Sequence, residues 1–244
     1  MRALSAAELF DVWERGQGQS PAQRALILLA VACKETPPDR VAQFSIGRRD
    51  ADLLALREHT FGPQLASTAV CPHCAVQLEF RIDTDDIRMT PPDERDAPEQ
   101  LTEAECEIAF RLPNSLDLAT LDPSADLETN RQRLFERCVT EAKRAGVEIP
   151  ASQLPASVVA AVAERMSELD PQADVQLALA CPQCDHKWQS PLDPISYFWS
   201  EIHAWAHRIL REVHALASAY GWREVDILAL SAWRRQAYLE LIEP

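Results

Sequence analysis

The sequence predicts a mainly α protein carrying a small β zinc-ribbon subdomain, an α+β arrangement with a helical insertion between two cysteine knuckles. Three observations predict it. Apolar residues recur at helical spacing toward both ends of the chain, alternating runs flank Cys71-Pro-His-Cys74 and Cys181-Pro-Gln-Cys184, and helical spacing returns between the knuckles. With 244 residues and 47% hydrophobic content the chain can bury a sizeable core. No apolar run reaches the roughly eighteen residues of a membrane span, and the N-terminal MRALSAAELFDVWERG reads as an amphipathic helix rather than a secretory signal. A cytoplasmic location follows as the expectation.

Residues 1–66 are expected to be helical. Ser5-Ala-Ala-Glu8 has capping-box spacing, Ser20-Pro21 sets a cap before a first-turn proline, and Thr36-Pro37 repeats that pattern. Asp50 is placed to cap a helix ADLLALREHTF, which Gly62 stops. Residues 67–124 then read as the first half of the ribbon, an acidic loop and a hairpin. Val76, Leu78 and Phe80 alternate with polar neighbours, as do Ile108 and Phe110, before Pro113-Asn114-Ser115 turns the chain. Between them, residues 83–105 hold nine carboxylates, two arginines and three prolines, the composition of a solvated loop or of a docking strip for a basic partner.

Residues 125–171 are read as the helical insertion, with one helix over 126–145 through Leu127, Leu134, Cys138 and Val139 and another over 157–169. The second knuckle occupies residues 172–194. Residues 195–244 form the C-terminal helices, a long one from Ile195 to Tyr220 ended by Gly221 and one shorter helix with Arg234 and Arg235 exposed. No internal repeat is evident.

Seven cysteines in a reducing compartment point to metal before disulfide. Zinc takes four thiolates in a tetrahedron, and a C-x-x-C turn supplies two without strain. Cys71, Cys74, Cys181 and Cys184 are therefore the expected ligands of one structural zinc. The 106 residues between Cys74 and Cys181 exceed the usual spacing, yet lengthening a loop adds little closure entropy. Two alternatives remain, separate knuckles helped by His73 or His186, and redox use of the pairs. Cys33, Cys106 and Cys138 fall on apolar positions and read as core. His203 and His207 have the i, i+4 spacing of a chelating pair, with His214 further along, or are surface histidines. A closed four-thiolate shell has no open position for water, and no nucleophile elbow, phosphate loop or dinucleotide fingerprint is present. Neither an enzyme nor a small-molecule substrate is expected. A net charge of -14 argues against nucleic acid, although a zinc-ribbon nucleic-acid-binding regulator is the alternative function.

Four phrases go beyond generic pattern: IGRRDADLLALREHTFG (46–62), FRLPNSLDLATL (110–121), MSELDPQADVQL (166–177) and AYGWREVDILALSAWRRQAYLELI (219–242). With the knuckles, they resemble the family of T4-type baseplate hub assembly proteins or chaperones of contractile phage tails and phage-tail-like contractile injection systems. The resemblance implies a non-enzymatic assembly or structural role, with other baseplate or tail proteins as partners, either as a chaperone that leaves after assembly or as a subunit that stays in the finished particle. Zinc is inferred from the residues alone. The aromatic-rich C-terminal face presents Trp199, Trp205, Tyr220, Trp222, Trp233 and Tyr238 beside Arg234 and Arg235. These are candidate partner-binding residues, with burial against the N-terminal helices as the other reading.

Overall fold

The computed structural model describes residues 1–89 and 98–242. Its N-terminal helices start where hydroxyl caps satisfy their free amides. Helix α1 (Ala6–Arg15) is opened by a capping box in which Ser5 Oγ accepts from the Glu8 amide at 3.3 Å and the Glu8 carboxylate accepts from the Ser5 amide at 3.0 Å. Ser20 and Gln23 do the same for α2 (Pro21–Ala32). Thr36 does not cap α3 (Pro38–Ala42), because Pro37 takes the cap position without a side-chain bond. Helix α4 (Ile46–Phe61) begins earlier than expected, capped by Ser45. Asp50 therefore lies inside the helix, buried, where the Arg49 guanidinium claims its carboxylate at 2.7 Å.

Strands β1 (Gln64–Val70) and β2 (Gln77–Asp83) form the first cysteine hairpin, followed by the single-turn α5 (Thr84–Ile87). The expected acidic loop is thus partly built into elements, since Asp83 closes β2 and residues 99–103 form β3 (Glu99–Glu103). Residues 90–97 lie outside the described residues. β4 (Cys106–Phe110), α6 (Ser115–Leu118) and α7 (Leu127–Cys138) follow. Helix α7 stops at Cys138, which corrects the helix read over 126–145. From there β5 (Val139–Arg144) and β6 (Val147–Glu148) turn back through Ala145 and Gly146, both at positive φ (49° and 79°). The β-branched Val139 and Thr140 and this tight hairpin turn favour strand, and the free edge of β4 receives β5. The resulting sheet, in order β3-β4-β5-β6, crosses the boundary drawn at residue 125. Leu127, counted on the apolar face, is 85% exposed. Helix α8 (Ala156–Leu169) covers this sheet through Val158 and Val162, closing a core with Ile108, Phe110 and Phe135.

Strands β7 (Val175–Ala180) and β8 (Lys187–Leu192) make the second cysteine hairpin and lead into α9 (Pro194–Tyr220), which Gly221 ends in the left-handed conformation at φ 68°. Two short helices follow instead of one, α10 (Glu224–Leu228) and α11 (Ala232–Glu240), because Ser231 restarts the helix by accepting from the Arg234 amide. Helix α9 serves two cores. Its first half packs Ile195, Phe198 and Ile202 against Val12, Leu28, Leu29, Leu53 and Leu56, and its second half packs Ile209, Val213 and Leu216 against Phe10 and Ile227. Each buried leucine or isoleucine contributes about 1.5–3 kcal/mol of apolar transfer, so α9 is the member that ties both ends of the chain together. No helix among the described residues is long and apolar enough to cross a membrane.

Candidate metal centre

The two cysteine hairpins are built alike at a constant offset, since Cys71 and Cys181, Cys74 and Cys184, and Asp83 and Asp193 are each 110 residues apart. In each, the first cysteine amide donates across the turn, Cys71 to the Val76 carbonyl and Cys181 to the His186 carbonyl, both at 2.9 Å. In each, the residue after the second cysteine stands at positive φ, Ala75 at 60° and Asp185 at 55°. Leu65 and Val175 are buried at the matching entry points, and Asp83 and Asp193 cap the helices that follow, α5 and α9. This is an internal repeat, correcting the absence read from sequence. The sequence does not display it, since Cys, Pro, Cys and Asp are the only identities between residues 64–84 and 174–194.

The four sulfurs meet. All lie within 4.8 Å of one another, with Cys71 to Cys184 at 3.7 Å and Cys74 to Cys181 at 3.5 Å across the two hairpins. A tetrahedron of sulfurs about 2.3 Å from a central ion has edges of about 3.8 Å, so the spacing fits a metal ion. Backbone amides are aimed at the sulfurs, those of His73 and Cys74 at Cys71, Val76 at Cys74, and His186 at Cys184. Desolvation opposes ionisation of Cys71, but the amides and neighbouring thiols outweigh it and bring its pKa down to about 7. At Cys184 the His186 amide favours the thiolate, yet desolvation and the other three cysteines push the pKa up to about 12. Four anions cannot share this space alone; a divalent cation removes the conflict and lets all four ionise.

Among the described residues no other set of three or more His, Cys, Asp or Glu side chains is close enough to hold an ion. His73 and His186 stack on each other at 5.5 Å, and His186 stacks on Trp188. His203 is engaged otherwise, its Nδ1 accepting a hydrogen bond from Trp13 Nε1 at 3.1 Å, with the His207 ring 4.5 Å away. Cys106 and Cys138 are core residues and Cys33 packs against the N-terminal core.

The C-terminal candidates divide. Trp199 is buried, its ring lying against Gly16 and under the Arg24 guanidinium at 4.4 Å, so it is a core residue and not a surface anchor. Arg235, expected at the surface, is buried where it faces α9, donating to Glu212 at 2.9 Å and to the Leu230 carbonyl at 2.8 Å. Trp205 is half-buried against Phe10. Trp222 and Tyr238 are half-buried in the distal core, and Tyr220 stacks on Trp222 at its edge. Trp233 is 79% exposed, and Arg234 is exposed beside it.

A buried polar node went unread in the sequence. Gly47 donates its amide to Asp170 Oδ2 at 2.8 Å, Ile46 donates to the Pro113 carbonyl at 3.0 Å, Ser45 bridges to Asn114, and Met89 donates to Gln172 at 2.6 Å. Next to it, Asn114 and Asp117 form a capping box, and Asp117 binds Arg111 and Arg137. Three of the four distinctive phrases thus converge at one place, where the sheet-bearing excursion rejoins the helical body. The Asn114-x-x-Asp117 cap spacing was a legible hint; the long-range partners were not.

The chain matches the family model described as T4 bacteriophage base plate protein over residues 16–199. It belongs to that family. No curated protein and no solved structure matches it. The base plate match takes in both cysteine hairpins and the polar node. It leaves most of α9 and all of α10 and α11 outside its span.

Proposed function

We propose that this base plate family member is a non-enzymatic assembly or structural component of a contractile phage tail-like injection system, in which Cys71, Cys74, Cys181 and Cys184 hold one structural zinc ion. The family match supports the baseplate role, and the convergence of four sulfurs within 4.8 Å supports the metal. Zinc suits the site because an all-thiolate tetrahedron is a soft, closed donor set that leaves no position for a reacting water. Its task is to tie the two hairpins into one zinc ribbon and so fix where the excursion between them leaves the helical body. Partners are other baseplate or tail proteins, met in the cytoplasm, with Trp233 and Arg234 as the exposed docking pair.

Elemental analysis of the purified chain is expected to find one zinc per molecule. Cys71→Ser/Cys74→Ser should lose that zinc and melt at a lower temperature. A parent without metal, or a double variant that melts like the parent, would sink the metal assignment. Trp233→Ala should leave stability within about 0.5 kcal/mol of the parent while lowering the yield of complete tails in a producing strain. Mass spectrometry of purified tails distinguishes a resident subunit from a chaperone that departs.

A further inference from the structure

Resting on the reading of the four cysteines as a metal centre, we propose that the centre is also an oxidation site. Peroxide converts the metal–thiolate staple into a disulfide between the two hairpins, Cys74 to Cys181. Two observations carry this. Cys74 is exposed while Cys71 and Cys181 are each 1% exposed, so an oxidant in water reaches Cys74 first. The Cys181 sulfur, 3.5 Å away on the other hairpin, is in place to resolve it.

Closing that gap to a bond of about 2.05 Å needs about 1.5 Å of sulfur movement, within reach of small side-chain rotations. The hairpins need not part or rotate. Their entry strands are anchored through buried Leu65 and Val175, which share one small core.

The chemistry balances with hydrogen peroxide as oxidant. The Cys74 thiolate attacks one peroxide oxygen, the O–O bond breaks, and hydroxide leaves, giving the sulfenic acid. The Cys181 thiolate then attacks the Cys74 sulfur; the S–S bond forms, the S–O bond breaks, and a second hydroxide leaves. Two thiolates are oxidised and one peroxide is reduced. Cys71 and Cys184, left as a pair, no longer suffice to hold the ion and take up protons. The covalent link then joins the same hairpins that the metal joined.

The test uses the full metal-loaded chain titrated with hydrogen peroxide. A chromogenic chelator follows metal release, and peptide mapping after alkylation follows the link. One metal released and two thiols lost per peroxide, with a Cys74–Cys181 linked peptide, is the expected result. The oxidised chain should melt above the reduced, chelator-stripped chain. Cys74→Ser should abolish the link and slow peroxide-driven loss of thiols by about tenfold or more, whereas Cys184→Ser, also one ligand short, should keep the link. A Cys71–Cys74 or Cys181–Cys184 disulfide, or oxidation confined to Cys33, would overturn the proposal. If the parent neither contains nor takes up metal, the zinc reading alone fails, because the link is still scored by mapping in the metal-free chain.

Discussion

Replacing Gly47 with alanine is expected to destabilise the fold by about 2–4 kcal/mol. An added Cβ would stand 1.9 Å from Asp170 Oδ1, 2.6 Å from its Cγ and 2.9 Å from the backbone nitrogen of Ala173. The backbone contact cannot swing aside, so the chain after α8 must shift or Asp170 must rotate away. Rotation forfeits the 2.8 Å bond from the Gly47 amide to a carboxylate that is 3% exposed, a charge-assisted bond worth about 1.5–3 kcal/mol. Packing strain adds about 1–3 kcal/mol, and alanine's helix preference returns at most about 1 kcal/mol. In a chain of this length the net corresponds to a fall in Tm of roughly 5–15 °C. Urea denaturation followed by circular dichroism, with calorimetry alongside, measures both. Gly146→Ala is the control, with nothing within 4 Å but a φ of 79°, and should cost only about 1–2 kcal/mol of backbone strain. A Gly47→Ala variant as stable as the parent would refute the close approach of α4 to Asp170 as a structural requirement.

Arg57 offers a second test: it is buried and donates to both oxygens of Glu201 and to the carbonyls of Gly62 and Gln64. Arg57→Met should cost about 3–5 kcal/mol by stranding those acceptors, read by the same denaturation. The pH dependence should separate two buried carboxylates. At Asp117 burial raises the pKa, but Arg111, the Asn114 amide and Arg137 outweigh it and hold it below the usual range. Its stabilisation is therefore present above pH of about 4 and lost as pH falls further, so the stability gap between the parent and Asp117→Asn should narrow from pH 6 to pH 3. At Asp50 burial outweighs Arg49 and pushes the pKa up to about 6. Ionising it costs stability, a cost absent below pH of about 4 and complete above about 6, so the parent should lose ground to Asp50→Asn as pH rises through that window.

The cysteine pairs, the capping box at Ser5, the cap at Ser20 and the glycine stops at Gly62 and Gly221 were legible because each is decided by residues within a few positions. Strand β5 was not. Leu134, Cys138 and Val139 fit helical spacing as well as strand, and the edge of β4 that settles the matter lies some thirty residues away in sequence. The burial of Trp199 and Arg235 was hidden for a similar reason, since an aromatic or charged residue on a helix shows its face only once the neighbouring helix is known. Gly16 beneath Trp199 and Glu212 opposite Arg235 are those neighbours. The repeat of the hairpins lay in backbone hydrogen bonds and φ angles that four identities could not announce.

The offset between the hairpins also sets a clock. A ribosome adding about 5–20 residues per second releases Cys181 roughly 5–20 seconds after Cys71. Through that interval only two of the four clustered cysteines exist, and the whole sheet-bearing excursion is being made. On the proposed zinc reading the site cannot close until the start of α9 is about to emerge, so metal capture marks the completion of the excursion before the last long helix is laid across the body.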